Sequence, residues 1–285
     1  MNKLRIKKTA VRVIITAIML LIGFTMIVPF LWMLSASMKR QLDVTALPIK
    51  WIPDYFYTHN YEVVWNIGNA APRDYHFAQS YFNSIKIAVI NVCGSVITSS
   101  LAGYAFAKIK FRGANAVFML YLATMMIPSQ VTLIPKFTLF DKLGMMGTHA
   151  TLILPGLVTV TGTFLMRQAF MQVSDELKEA ACIDGASEFR IWAQIMVPVI
   201  KPSMASLGLI VFLWNWNNYL DPLVFLRDRE LYTIPVALTN FVEETSTNYG
   251  LIMAASASAL IPVFIVFLAC QRFFIKGLTA GSVKG

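Results

Sequence analysis

The 285 residues predict an all-α integral membrane protein with six transmembrane helices. Three observations lead there. Apolar residues make up 57% of the chain and charged residues 14%, against about 45–50% and about 25% in soluble domains. The mean hydropathy is +0.62. Six stretches free of Asp, Glu, Lys and Arg are each long enough for the roughly 20 residues a membrane-crossing helix needs. Together these exclude a disordered chain, a nucleic-acid-binding arm and an ordinary cytosolic enzyme.

The six stretches are 13–34, 87–107, 113–135, 143–166, 202–220 and 245–271. The first follows Lys3, Arg5, Lys7, Lys8 and Arg12 and precedes Ser35-Ala36-Ser37, a pattern a secretory signal would share. A signal peptide's apolar region spans about 7–15 residues. This run is longer, so it is read as a retained N-terminal helix. The fifth stretch is expected to continue past Asp221 through Leu223–Leu226. The chain is read as a single transmembrane domain over 1–285, with an external loop at 35–80 and a core at about 78–272. A small, basic tail at 277–285 is too polar to span.

An even number of spans puts both termini on one side. That side carries fifteen Lys and Arg, in residues 1–12, 108–112, 167–201 and 272–285, against eight in the opposite loops. The positive-inside rule therefore places both termini in the cytoplasm. The net charge of +9 is spread over these loops and forms no groove for nucleic acid. Cys93, Cys182 and Cys270 lie far apart, without metal-ligand or disulfide spacing.

The cytoplasmic loop 167–201 is too long for a turn. Ser174 is a candidate N-cap, with Asp175 and Glu176 at the positive helix end. Leu177, Ala180 and Ala181 share one apolar face. Gly185 interrupts, and Ser187 caps a second short helix carrying Phe189, Trp192 and Ala193, which Pro198 and Pro202 end. Such a pair can rest on its own protein and the lipid interface, or sit in a groove of a soluble partner. Composition alone does not choose.

The loop contains Glu179-Ala180-Ala181, then Asp184-Gly185, then Ile195 and Val197-Pro198. This resembles the Glu-Ala-Ala motif of ABC importer permeases, whose pattern has Leu where Val197 stands. The resemblance runs over nearly the whole chain and narrows to the carbohydrate-type, MalG-like branch. It is carried further by Leu101–Ala107, Met126-Ile127-Pro128, Trp216–Leu220 and the segment 276–285. What it implies is a type I importer permease fold in the inner membrane of a bacterial cell. It also implies a second, MalF-like permease, two ATPase subunits that bind ATP and Mg, and an extracellular binding protein delivering a sugar or oligosaccharide. Glu179, Ala180, Ala181, Asp184, Gly185, Ile195 and Pro198 would then form the ATPase-coupling element.

The sequence has no phosphate-binding loop, since Gly-Lys does not occur, and no hydrolase or metalloprotease motif. No catalytic residue, metal site or cofactor is assigned to this chain. Polar residues within spans by default indicate function, and span five concentrates them: Asn215, Asn217, Asn218, Tyr219 and Asp221. These could line a sugar path through amide and carboxylate hydrogen bonds. They could equally cap a break near Pro222 or tie helices together. In span two, Asn91, Ser95, Ser99 and Gly103 recur every fourth residue, as in close helix packing. The rival readings are an ion-gradient-driven secondary transporter, which would need buried ionisable groups, and an ABC permease for a non-sugar solute such as glycerol phosphate.

Overall fold

The structure is a computed structural model that describes residues 2–72, 75–242 and 248–280, with side chains over 8–72, 75–242 and 248–272. Every regular element among these is helical. They are α1 (Asn2–Ser37), α2 (Gln41–Val44), α3 (His59–Val64), α4 (Phe77–Lys108), α5 (Ala114–Ala123), α6 (Leu133–Lys142), α7 (Ala150–Gly156) and α8 (Val160–Met171). There follow α9 (Asp175–Ile183), α10 (Glu188–Arg190), α11 (Val197–Val199), α12 (Lys201–Trp216), α13 (Leu220–Phe225), α14 (Ile234–Ala237) and α15 (Tyr249–Ala280). The chain forms two compact units, Met1–Tyr75 with Leu238–Leu260, and His76–Ala237 with Ile261–Gly285.

In the first unit α1 is uncharged beyond Arg12, and none of its most apolar window is buried. Its C-terminal carbonyls need partners. Asn60 Nδ2 donates to the last of them, on Ser37, at 2.9 Å, and to the Lys39 carbonyl just beyond the helix at 2.8 Å. The aromatic segment that follows folds back on the helix end, with Trp51 edge-on to Trp32 at 5.4 Å.

The second unit is organised around α4. Its row Asn91, Ser95, Ser99, Gly103 faces the α7–α8 limb at near backbone contact. A Cβ on Gly103 would lie 2.6 Å from Met166 Cβ and 2.7 Å from the Arg167 nitrogen, and one on Gly156 would lie 2.3 Å from Asn91 Nδ2. The α7–α8 break at Leu157–Thr159 is satisfied locally. Thr98 Oγ1 donates to the Leu157 carbonyl at 2.6 Å, and Thr159 Oγ1 accepts from the Gly162 N–H at 3.2 Å.

Several expected spans come out differently. Four helices are long and apolar enough to cross a membrane, or five if a pair bent by 82° counts as one. Among the described residues one further apolar helical stretch, Ala114–Met126, is shorter than a full span. The expected span 113–135 is not one helix. The apolar helical stretch Ala114–Met126 stops before Pro128, whose ring drives Ile127 extended, at φ −83° and ψ 113°, and α6 begins only at Leu133. Span 143–166 starts late, at Ala150, after Gly144 and Gly147 with positive φ, and reaches Met171. Span five ends at Trp216 instead of passing Asp221, because Asn217–Tyr219 interrupts it before α13. The last helix starts at Tyr249 and extends through Ala280. Thr245 and the end of the expected tail, 281–285, lie outside the described residues.

Candidate functional site

The segment from Val173 to Ile200 forms the first candidate site. Ser174 caps α9, its Oγ accepting from the Glu176 N–H at 3.2 Å. The helix closes on a turn with Gly185 at φ +77°, where Gly185 donates to the Cys182 carbonyl at 3.0 Å and Ala186 to the Ala181 carbonyl at 3.0 Å. Only glycine adopts this conformation without strain. Ser187 Oγ then accepts from the Arg190 N–H at 3.4 Å. The second helix does not stop at Pro198. A π-helical stretch, Ile191–Met196, widens the coil ahead of the proline, and the sharp bend comes at Ile200.

Of the expected face of α9, only Ala181 is buried. It joins Tyr104, Phe170, Ile191 and Met196 in the inner core, with Ile195 packed against its edge. Glu179, Ala180, Asp184, Gly185 and Pro198 are exposed. So are Leu177, Ile183 and Phe189, Ile183 at 87%. The motif thus divides: Ala181 and Ile195 anchor the element, and the remainder faces outward.

Contacts from Ser100, Tyr104 and Lys108, which the sequence did not single out, hold this element to α4. Trp192 Nε1 donates to Ser100 Oγ at 3.0 Å. The Tyr104 hydroxyl donates to Glu188 Oε2 at 2.6 Å. Glu188 Oε1 pairs with Lys178 Nζ at 2.8 Å, and Lys178 also donates to the Lys108 carbonyl at 2.7 Å. Lys108 Nζ donates to the Val173 carbonyl at 2.6 Å and to the Asp175 carboxylate. That ammonium holds the Asp175 carboxyl below its ordinary range. The four-residue spacing of Ser100, Tyr104 and Lys108 was the available signal.

A second candidate site is a cavity of about 390 Å³ in the same unit, lined among others by Ser129, Lys136, Thr151, Trp214, Asn215, Asn218 and Asp221. The structure brings together three of the five residues expected along a path. Asn217 and Tyr219 are exposed and do not line it; Asn217 Nδ2 donates to the Leu213 carbonyl at 2.8 Å, closing the end of α12. The capping alternative is also realised. Asn218 Nδ2 donates to Asp221 Oδ2 at 3.1 Å, and Asn218 Oδ1 accepts from the Asp221 N–H at 3.4 Å. Asn215 Oδ1 accepts from Asn91 Nδ2 at 2.5 Å, so its cavity-facing amide is held from α4. Among the described residues Lys136 has no carboxylate partner, and no group of three or more His, Cys, Asp or Glu could hold a metal ion.

The profile of the family described as "Binding-protein-dependent transport system inner membrane component" matches residues 95–280. The arabinooligosaccharides transport system permease protein AraQ of Halalkalibacterium halodurans is 39% identical over 203 residues, 71% of this chain and 73% of that one. The sn-glycerol-3-phosphate transport system permease protein UgpE of Escherichia coli is 34% identical over 267 residues, 91% and 93%. A crystal structure of a bacterial ABC transporter involved in the import of the acidic polysaccharide alginate superposes with a TM-score of 0.82 over 94% of this chain and 98% of that one, at 24% identity.

Proposed function

The chain belongs to the binding-protein-dependent transport system inner membrane component family, and from that membership we propose how its two sites divide the work of an ABC importer permease. It is a transport subunit, not an enzyme. The segment 167–201 is the element that docks on a partner ATPase at the cytoplasmic face. Glu179, Ala180, Asp184, Gly185 and Pro198 form its outward surface, and Ala181 and Ile195 set its attachment. The cavity at Asn215, Asn218 and Asp221 belongs to the solute path, shared with a second, MalF-like permease. Tyr219 and Asn217 shape the break beside it.

The observation that carries this reading is the division of the Glu-Ala-Ala motif. A capped helix exposes Glu179 and Ala180 while Ala181 is locked in the core. A short rigid element of this kind transmits rigid-body motion, and its exposed Leu177, Ile183 and Phe189 supply apolar area for a groove. ATP and Mg are bound by the two ATPase subunits, and an extracellular binding protein delivers the solute. Both termini lie in the cytoplasm of a bacterial cell, and the solute is a sugar or oligosaccharide.

The test is affinity purification of the tagged chain followed by reconstitution in liposomes. An ATPase pair and a second permease should accompany it, and uptake should require ATP and the binding protein. Uptake that persists without ATP and collapses with the proton gradient would establish the secondary transporter instead. Lys136 in the cavity wall favours one variant of the reading, a solute carrying a phosphate or carboxylate. Replacing Lys136 with Met should then lower uptake of a sugar phosphate and leave a neutral oligosaccharide unchanged.

A further inference from the structure

Along α4, Ser100, Tyr104 and Lys108 occur at i, i+4 and i+8, and such residues share one helix face. All three are at most 9% exposed, and each bonds a different part of the segment that follows α8. Ser100 holds Trp192 in the π-helical stretch. Tyr104 holds Glu188 at the start of α10. Lys108 holds the Val173 carbonyl and Asp175 at the start of α9. The two limbs of the segment are tied to one another as well. The Lys178–Glu188 ion pair spans the Gly185 turn, and Lys178 is anchored in turn to the Lys108 carbonyl. Polar contacts at three successive turns, on both limbs of a bent element, leave it no free rotation about α4.

The same helix is gripped farther along. Asn83 Nδ2 donates to the carbonyls of Glu230 at 2.8 Å and Tyr232 at 3.1 Å, and Ser84 Oγ accepts from the Ile234 N–H at 2.8 Å. Between the two ends, Asn91 holds Asn215 at the cavity. One 32-residue helix therefore touches the docking segment, the cavity wall and the 230–234 segment.

We propose that α4 is the transmission rod of this permease, and that Ser100, Tyr104 and Lys108 are its positioning clasp on the docking segment. Movement of that segment is passed to the cavity through α4 instead of being absorbed at the Gly185 turn. This rests on the reading of 167–201 as the ATPase-docking element, and the experiment separates the two.

The assay measures solute moved per ATP hydrolysed by the reconstituted complex, with ATPase co-purification scored alongside. Tyr104→Phe removes the hydroxyl that holds Glu188 and keeps the ring in the core. Loss of a hydrogen bond to a charged group shifts the held-to-released balance about tenfold. The expected result is a fall of about tenfold in solute per ATP, with co-purification unchanged. Lys178→Glu alone should uncouple similarly. Glu188→Gln keeps an amide oxygen to accept from the Tyr104 hydroxyl and should retain more of the ratio than Glu188→Leu, a graded response that mere destabilisation would not give. If Tyr104→Phe does not assemble, Trp192→Phe removes the N–H to Ser100 by the same logic. A ratio unchanged in Tyr104→Phe and Lys178→Glu, or an equal loss in Glu188→Gln and Glu188→Leu, overturns the clasp and leaves docking intact. Failure of the parent chain to recruit any ATPase overturns the reading beneath it.

Discussion

Packing of α4 against α8 can be tested at two glycines that look alike in sequence. A Cβ on Gly103 would sit 2.6 Å from Met166 Cβ, 2.7 Å from the Arg167 nitrogen and 2.9 Å from the Met166 carbonyl carbon. Two of these are backbone atoms, so the helices themselves must separate. Overpacking of this kind costs about 1–3 kcal/mol. Alanine in a helix interior recovers about 0.5–1 kcal/mol relative to glycine, which is too little to cancel it. On Gly208 of α12 the nearest atoms are Val92 Cγ1 at 3.5 Å and Val96 Cγ2 at 3.9 Å, ordinary contact distances at which the alanine gain stands unopposed. Gly103→Ala should therefore lower the thermal midpoint of the purified protein in detergent, by about 2–4 °C per kcal/mol, and Gly208→Ala should hold or raise it. The readout is loss of the monodisperse gel-filtration peak against temperature. A Gly103→Ala midpoint equal to the parent, or a larger drop for Gly208→Ala, would refute the close-approach argument.

Gly185→Val places a branched side chain at φ +77° and should cost about 1–2 kcal/mol, seen as reduced ATPase co-purification; Gly185→Asn should cost less, because asparagine tolerates this region. Ser187→Ala removes the cap on the second limb and should destabilise by about 1 kcal/mol, read as earlier proteolytic cleavage near 187. The Asp175 carboxyl is held down by Lys108, with Lys110 and Lys178 adding in the same sense. Its contribution is then present above the ordinary carboxylate value of about 4 and lost as pH falls through the depressed one. Coupling measured from about pH 5.5 to 8 should show no step from this pair, and Asp175→Asn should leave the shape of that profile unchanged.

The segment 173–200 was legible because its signals are local. Caps, the Gly185 turn and the motif spacing all fall within one short stretch, and each recurs in the structure. What was not legible was which side of α9 faces inward. Leu177, Ala180 and Ala181 share a helical face, but only Ala181 meets the core, because the inward direction is set by Tyr104 and Phe170 from other helices. The span boundaries moved for a related reason. A run without charges says nothing about Pro128, Pro155 or the Asn217–Tyr219 break, where local backbone chemistry overrides hydropathy. The clasp was missed because its partners lie 65 to 92 residues apart in sequence.

The break after α12 joins two readings that the sequence set against each other. Asn217 and Asn218 cap helix ends, which argues for a structural role. Yet non-helical backbone within a membrane-spanning region is tolerated only where protein buries it or where it lines a polar cavity. Here the side chains that make the interruption affordable, Asn218 and Asp221, are themselves cavity wall. Capping and lining are thus one arrangement: the helix stops where polar groups are needed, and the same amides satisfy the stop. Asp221→Asn should accordingly preserve the Asn218 contact and the fold, while Asn218→Leu should both destabilise the break and impair uptake. If Asn218→Leu lowered stability without changing transport by a fully assembled complex, the cavity would have no part in the solute path.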